Sequence, residues 1–147
     1  MDLIDVLLKD HAALRVSLES LELHFGPEVG TGWEDRIHID KARFHKDLDD
    51  VFRACREHET LERKFATSLL LQTRTPDADV EKILFESHGS IDSLLKLFAA
   101  AAASMQGGHV HGTRMILSRL REEITRHMDE EERELFPRLR KLQDASV

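Results

Sequence analysis

The 147-residue sequence contains one cysteine, three prolines and no tyrosine. A single cysteine excludes a disulfide framework, and it excludes zinc or iron–sulfur sites that need several thiolates. The longest apolar run, residues 97–103, is too short to span a bilayer, and the opening residues 1–5 lack the basic flank of a signal peptide. We therefore expect a protein of the reducing cytoplasm without a membrane segment.

The net charge of the chain excludes two classes of binding partner. Asp and Glu number 28 against 21 Lys and Arg, which gives a formal net charge of −7. Nucleic-acid phosphates and anionic membrane surfaces repel a chain of net negative charge, so we expect no nucleic-acid and no membrane partner. The 41% of apolar residues is sufficient for one hydrophobic core, and the length predicts a single domain over residues 1–147.

Few prolines and glycines interrupt the sequence, which predicts few and long elements. Apolar residues recur at alternating steps of three and four along four segments, the pattern of amphipathic helices, and no segment alternates with the period of two expected of a strand. Short connections between helices that are each apolar on one face predict an all-α fold, an antiparallel up-down-up-down four-helix bundle.

The predicted helices end at residues that cap or break a helix. In chain order these are Asp2 and Gly26-Pro27 for the first helix, Thr73 as the end of the second, Thr75-Pro76 and Gly107-Gly108 for the third, and Pro137, which kinks or ends the fourth. Residues 33–41 exceed the length that the second helix needs, so we expect a break or a separate turn there.

Histidine is frequent, at nine residues, and each predicted helix carries one in its apolar stripe. Polar groups at core positions are costly unless they satisfy one another or a bound ion. A rise of 1.5 Å per residue puts these polar positions roughly 12 to 22 Å from one end of an up-down bundle, so we expect them to form one layer. The residues that interrupt the stripes are His11, His58, Glu62, His88, His127 and Glu131.

Two of the helices repeat His-x-x-x-Glu, at residues 58–62 and 127–131. Side chains four apart share a helix face at about 6 Å, close enough for one ion to bind the imidazole while the carboxylate bridges to a second. Imidazole and carboxylate without thiolate suit non-haem iron, manganese or zinc. Four imidazoles and two bridging carboxylates provide about eight of about twelve bonds, so positions stay open for an oxo or hydroxo bridge and for a small diatomic ligand or peroxide.

These residues stand in motifs that resemble the hemerythrin-like, HHE cation-binding family over essentially the whole chain. The motifs are Leu8-Lys9-Asp10-His11, His58-Glu59-Thr60-Leu61-Glu62, Glu86-Ser87-His88, and His127-Met128-Asp129-Glu130-Glu131-Glu132 followed by Leu135-Phe136-Pro137. The resemblance implies two non-haem iron ions in a helical bundle, bound by the residues that interrupt the stripes. Zinc and manganese remain alternatives on donor chemistry.

Two positions depart from the oxygen-carrying members of that family. Those proteins have a second histidine four residues after that of the third helix and an aspartate in the fourth-helix motif, where this chain has Asp92 and Glu131. Fewer nitrogen donors favour the higher oxidation states of iron, which argues against reversible oxygen carriage. Glu59 directly follows His58, as an acidic residue does in iron-sensing and stress-related members. Glu59 is then an additional ligand or a solvated residue, and Asp92 is a ligand, an acceptor that orients an imidazole, or a surface carboxylate.

Three functions are compatible with this pattern. The first is a binding protein that senses or buffers iron, oxygen, nitric oxide or peroxide. The second is a di-iron oxidoreductase that reduces peroxide or oxygen or oxidises ferrous iron, and the third is a metal-free structural or interaction bundle. The sequence offers no tyrosine and no dedicated proton relay, which favours the first function over an enzyme. No protein partner is indicated.

Other polar residues and the cysteine receive structural interpretations. We interpret Cys55 as a small buried residue and the acidic residues beside Glu131, within 129–132, as a solvated face. The peripheral histidines, for which we expect solvent-facing positions and no assigned role, are His24, His38, His45, His109 and His111.

Overall fold

The computed structural model describes residues 2–25, 39–73, 78–105 and 111–145, and these ranges are helical with short turns and contain no strand. The all-α prediction is therefore confirmed. The elements are α1 (Leu3–Leu23), α2 (Lys41–Thr73), α3 (Ala78–Ala103), α4 (His111–Glu130), a π-helical stretch (Glu131–Leu135) and α5 (Phe136–Ala145). No described helix is both long enough and apolar enough to cross a membrane.

Helix α1 begins where its capping residue predicts. The Asp2 carboxylate accepts a hydrogen bond from the Ile4 backbone N–H at 3.2 Å, which satisfies one of the amides left free at a helix start. The helix ends at Leu23 and the chain turns at residues 24–25, just before the predicted Gly26-Pro27, which lies outside the described residues. Helix α2 ends at Thr73 as predicted.

Several predicted boundaries fall outside the described residues. They are Thr75-Pro76, Gly107-Gly108 and most of the expected break over residues 33–41. Within the described part, α2 begins at Lys41, where the Asp40 carboxylate accepts a hydrogen bond from the Arg43 backbone N–H at 3.2 Å. Helix α3 ends at Ala103, and the backbone N–H groups of Ser104 and Met105 close its last turn.

Pro137 does not end the last helical segment. The helix passes through the π-helical stretch and continues as α5 to Ala145. At the end of the stretch the backbone N–H of Phe136 donates to the carbonyl of Glu131, five residues back instead of four. Proline lacks an N–H and its ring crowds the preceding turn of an α-helix, so a wider turn directly before Pro137 accommodates it without ending the helix.

The apolar core consists of two clusters along the helices. The larger cluster draws on α1 to α4 and includes Leu14, Cys55 and Met128. The smaller cluster lies toward the start of α1 and contains Ile4, Leu7, Ala66, Leu135, Phe136 and Leu139. Each of α1, α2 and the α4–α5 segment contributes to both clusters. In α1 and α2 the buried histidines and Glu62 lie between the two contributions in the sequence, and in the last segment Glu131 does.

Contacts at the helix ends relate the helices to one another. The guanidinium of Arg140, in α5, lies 3.2 Å from the Asp2 carboxylate at the start of α1. At the other end of α1, the Phe25 ring packs edge-on against Phe44 near the start of α2, with ring centroids 5.6 Å apart. The Thr113 hydroxyl near the start of α4 donates to the Ala101 carbonyl near the end of α3 at 3.3 Å.

Candidate metal centre

All the predicted ligand residues meet in one buried cluster. His11 comes from α1, His58 and Glu62 from α2, His88 from α3, His127 from α4, and Glu131 is the first residue of the π-helical stretch. The two glutamates and His11 have no exposed surface, and the other three histidines are at most 5% exposed. Periodicity explains this placement, because each residue occupies a core position of an amphipathic helix.

The cluster divides into two groups of four residues that share both glutamates. Site A consists of His11, His58, Glu62 and Glu131, and site B consists of His88, His127, Glu62 and Glu131. Within each group, one nitrogen or oxygen atom per residue lies within 4.8 Å of the corresponding atoms of the others. Each group could hold a metal ion, and the two groups have both carboxylates in common.

In site A every imidazole directs Nε2 toward the carboxylates. His11 Nε2 lies 3.0 Å from Glu131 Oε1, and His58 Nε2 lies 3.0 Å from Glu62 Oε2 and 3.3 Å from Glu131 Oε1. The two Nε2 atoms of the site are 3.1 Å apart. Two ring nitrogens and two carboxylates therefore converge on one small volume.

Site B repeats the arrangement on the other side of the glutamates. His88 Nε2 lies 3.2 Å from Glu62 Oε1, and His127 Nε2 lies 3.1 Å from Glu131 Oε1. The two imidazole rings meet edge-on with centroids 4.9 Å apart. Glu62 presents one oxygen to each site, as a bridging carboxylate does.

The polar atoms of the cluster fit a bound cation better than they fit one another. Both oxygens of Glu62, Oε2 of Glu131, and Nε2 of His88 and of His127 are buried without a well-directed hydrogen bond among the described residues. Buried polar atoms are rarely left in this state. Adjacent ligands of an ion bound at about 2.1 Å lie about 3.0 Å apart, close to the separations seen here, so the donor set suits a cation bound by imidazole and carboxylate.

Without a metal, the pKa values of His58 and Glu131 are shifted in opposite directions. Burial by itself would lower the pKa of His58, but hydrogen bonds to Glu131 and Glu62 outweigh burial and raise this pKa to about 10. Burial would likewise raise the pKa of Glu131, yet its hydrogen-bonding neighbours Glu62, His11, His127 and His58 hold it well below the usual range of a carboxyl. Without a metal, the cluster therefore keeps a proton on His58 opposite an ionised Glu131.

Glu59 and Asp92, the two uncertain residues of the sequence, lie beside the site without joining either group of four. Both are half-buried, so Glu59 is not a solvated surface residue. Burial raises the pKa of Glu59, the positive charge of His88 opposes this shift, and the negative charge of Asp92 adds to it. Its Oε1 atom is buried without a hydrogen-bond partner among the described residues.

Cys55 is the small buried residue that the sequence predicts. Burial, reinforced by the charges of Glu59 and Asp92, raises the pKa of the Cys55 thiol to about 12. A thiol that stays protonated at neutral pH is a poor nucleophile and a poor metal ligand.

Sequence reasoning missed a carboxylate that contacts the site. Glu132 was expected on a solvated face, and this expectation is wrong: its Oε1 lies 3.0 Å from His11 Nδ1, and its side chain is 31% exposed. Burial would raise the pKa of Glu132, but hydrogen bonds with His11 and then Arg15 lower it. The Phe136 ring also stacks on the His11 ring at 5.3 Å. In the sequence, only the position of Glu132 next to Glu131 indicated that it could contact the site.

The peripheral histidines differ in solvent exposure. His45 and His111 are exposed, as expected. His24 is not: its side chain is 14% exposed and its Nε2 lies 2.5 Å from the Asp47 carboxylate on α2. His38 and His109 lie outside the described residues.

The fold and site define a helical protein with a buried His/Glu cluster that can bind cations. Consistent with this class, the family model described as Hemerythrin HHE cation binding domain matches residues 79–147. The matched segment contains His88, His127 and Glu131, and the match confirms the resemblance seen in the sequence motifs. No curated protein and no solved structure was found to match the chain.

Proposed function

We propose that this chain is a small four-helix-bundle protein that binds two non-haem iron ions and senses or buffers iron, oxygen, nitric oxide or peroxide. The observation that carries the proposal is the pair of four-residue sites that share Glu62 and Glu131 inside a buried cluster. The family match adds that a cation is the expected ligand of such a domain.

The contacts at the helix ends support an antiparallel order of the helices. The start of α1 lies beside α5, where Arg140 and Gln143 contact Asp2. The end of α1 lies beside the start of α2, where Phe25 packs against Phe44. Such an order brings the ligand residues of α1 to α4 to one level of the bundle, which a two-metal site requires.

Each residue of the cluster has a proposed role. His11 and His58 bind one iron through Nε2, His88 and His127 bind the other, and Glu62 and Glu131 bridge the two. We assign Glu59 as a further ligand on the site B side, because its Oε1 is buried without a hydrogen-bond partner among the described residues and because His88 and His127 of site B are among the residues that interact with it electrostatically. Bound iron would supply a redox-active centre with positions open to a small molecule.

The surroundings of the site favour binding over turnover. The imidazoles already point to the shared carboxylates, and Cys55, the one thiol, is buried with its pKa raised to about 12. No tyrosine is present in the chain to carry a proton or an electron. A di-iron oxidoreductase is therefore the second candidate, and a metal-free interaction bundle is the third.

The first experiment measures metal content. Protein loaded anaerobically with ferrous iron and desalted should retain two irons per chain, and manganese loaded in the same way should be retained less firmly. The His127→Ala variant should retain at most one iron, whereas the His45→Ala variant should match the wild type because His45 is exposed and remote from the cluster. Iron that dialyses away from the wild type would exclude the proposal.

The second experiment separates a sensor from an enzyme. Reduced, iron-loaded protein is mixed rapidly with oxygen or peroxide and followed by its absorption spectrum. A single change that persists indicates a bound ligand and supports sensing. If the protein is instead oxidised again each time fresh reductant is added, and each cycle consumes one molecule of peroxide or oxygen, it is an oxidoreductase.

A further inference from the structure

Consecutive carboxylates contact the two ring nitrogens of His11. Glu131 Oε1 lies 3.0 Å from Nε2, and Glu132 Oε1 lies 3.0 Å from Nδ1. Residues next to each other in an α-helix point about 100° apart and do not normally serve one side chain. Here both belong to the π-helical stretch Glu131–Leu135, and His11 lies between their two carboxylates.

Glu132 is itself anchored from α1. Arg15, one helical turn after His11, donates from Nη1 to Glu132 Oε1 at 3.3 Å and from Nη2 to Glu132 Oε2 at 3.4 Å. The same guanidinium reaches Asp129 at 3.3 Å. Because the carboxylate of Glu132 is held at both oxygens, its acceptor position opposite His11 Nδ1 is defined.

The hydrogen bond decides which nitrogen of His11 is free to bind a metal. An ionised carboxylate can only accept, so His11 Nδ1 carries the hydrogen and donates it to Glu132, which leaves Nε2 facing the centre. A carboxylate behind a metal-bound imidazole fixes its tautomer and orientation and increases its donor strength.

Site B has no equivalent support among the described residues. The Nδ1 atoms of His88 and His127 are buried without a hydrogen-bond partner there. In site A, Nδ1 of His58 is likewise buried without a hydrogen bond, although the Asp10 carboxylate lies 3.6 Å from it. Among the described residues, the two sites therefore share both glutamates and differ at His11, whose Nδ1 is hydrogen-bonded to a carboxylate.

We infer that Glu132, anchored by Arg15, is a positioning residue that holds His11 for metal binding, so that site A binds its metal ion more tightly than site B. The inference rests on the proposed two-metal function. It makes site A the permanent position and site B the one that exchanges its metal.

The hydrogen bond is tested on the full-length metal-free protein by nitrogen-15 NMR of its histidines. His11 should show a hydrogen on Nδ1 in the wild type and in Glu132→Gln, whose amide oxygen still accepts, and should lose this signature in Glu132→Ala. The matched control Glu134→Ala, which removes an exposed carboxylate from the same π-helical stretch, should keep it. An unchanged His11 signature in Glu132→Ala would overturn the inference.

The effect on metal binding is tested by anaerobic titration with cobalt(II). Glu132→Ala should weaken the tighter of two binding steps about 10- to 100-fold and leave the weaker step unchanged, with Glu132→Gln restoring most of the loss. In a His11→Ala background, Glu132→Ala should have no further effect. Equal weakening of both steps, or a further loss in the His11→Ala background, would overturn the inference.

Failure of the inference is distinguishable from failure of the proposed function. If the wild type binds two cobalt ions and Glu132→Ala binds them identically, the positioning role alone is wrong. If the wild type binds no cobalt, the two-metal function is wrong and the order of affinities falls with it.

Discussion

Glu131 is the residue whose removal tests the centre most directly. Its Oε1 lies within 3.0 to 3.3 Å of Nε2 of His11, His58 and His127, and the side chain has no exposed surface. Glu131→Ala leaves each of the two sites with three donor residues in place of four. We expect the iron retained after desalting to fall from two per chain to less than one.

The same change should destabilise the protein before any metal is added. Removing one partner of a buried ion pair costs about 3 to 5 kcal/mol, because the remaining charge is left without compensation. The pKa of His58 near 10 shows that a proton stays opposite Glu131 at neutral pH. For a domain of this length each kcal/mol shifts the midpoint of melting by about 3 °C, so the metal-free variant should melt about 10 to 15 °C lower.

Two further variants separate metal binding from folding. Glu131→Gln keeps the volume and one acceptor oxygen, so it should regain part of the stability in chelator while still losing iron. Glu134→Ala, in the same π-helical stretch but exposed, should change neither quantity. Circular dichroism melts in chelator and elemental analysis after iron loading provide the two measurements. The reasoning would be refuted if Glu131→Ala retained two irons, or if its melting temperature in chelator equalled that of Glu134→Ala.

Three shorter predictions follow from the same surroundings. The raised pKa of His58 stabilises the metal-free protein fully below pH 6.5, the usual pKa of histidine, and this contribution is lost as the pH rises toward 10. Because metal must displace that proton, cobalt affinity should rise by up to about tenfold per unit between pH 7 and pH 9, and a flat profile by calorimetry would contradict the assignment. Cys55, 4% exposed with its pKa raised to about 12, should react with a thiol reagent only after denaturation, so rapid labelling of the native protein would count against its burial. Phe136→Ala removes a ring that is 3% exposed and stacked on His11, and it should lower the free energy of unfolding by about 3 to 5 kcal/mol in denaturant titrations. A loss below about 1 kcal/mol would show that the ring contributes little to the packing there.

The six ligand candidates could be predicted because their signal is local. A histidine or glutamate in place of an apolar residue at helical spacing remains on the core face whatever the neighbouring helices do. His11 between Leu7 and Leu14 is an example: all three are buried in α1. Periodicity therefore sufficed for helix class and for which polar residues are buried, since it depends on the geometry of one helix.

The residues around the ligands could not be predicted in the same way. Glu59 lies off the apolar stripe of α2, yet it is half-buried and interacts electrostatically with His88 and Asp92 of α3. His24 similarly becomes shielded because Asp47 of α2 meets it across the helix pair. Exposure at the edge of a stripe depends on helices distant in the sequence, about which local periodicity contains no information.

The amino-acid sequence by itself determined that the chain is helical and that four histidines and two glutamates occupy its core, because helical period and burial follow from the order of apolar and polar residues. Tertiary structure decided how these residues are grouped, with His11 and His58 in one candidate site, His88 and His127 in the other, and both glutamates in each. It also decided that Glu132 contacts His11, because this contact joins residues 121 positions apart in the sequence, about which the pattern of a single helix contains no information.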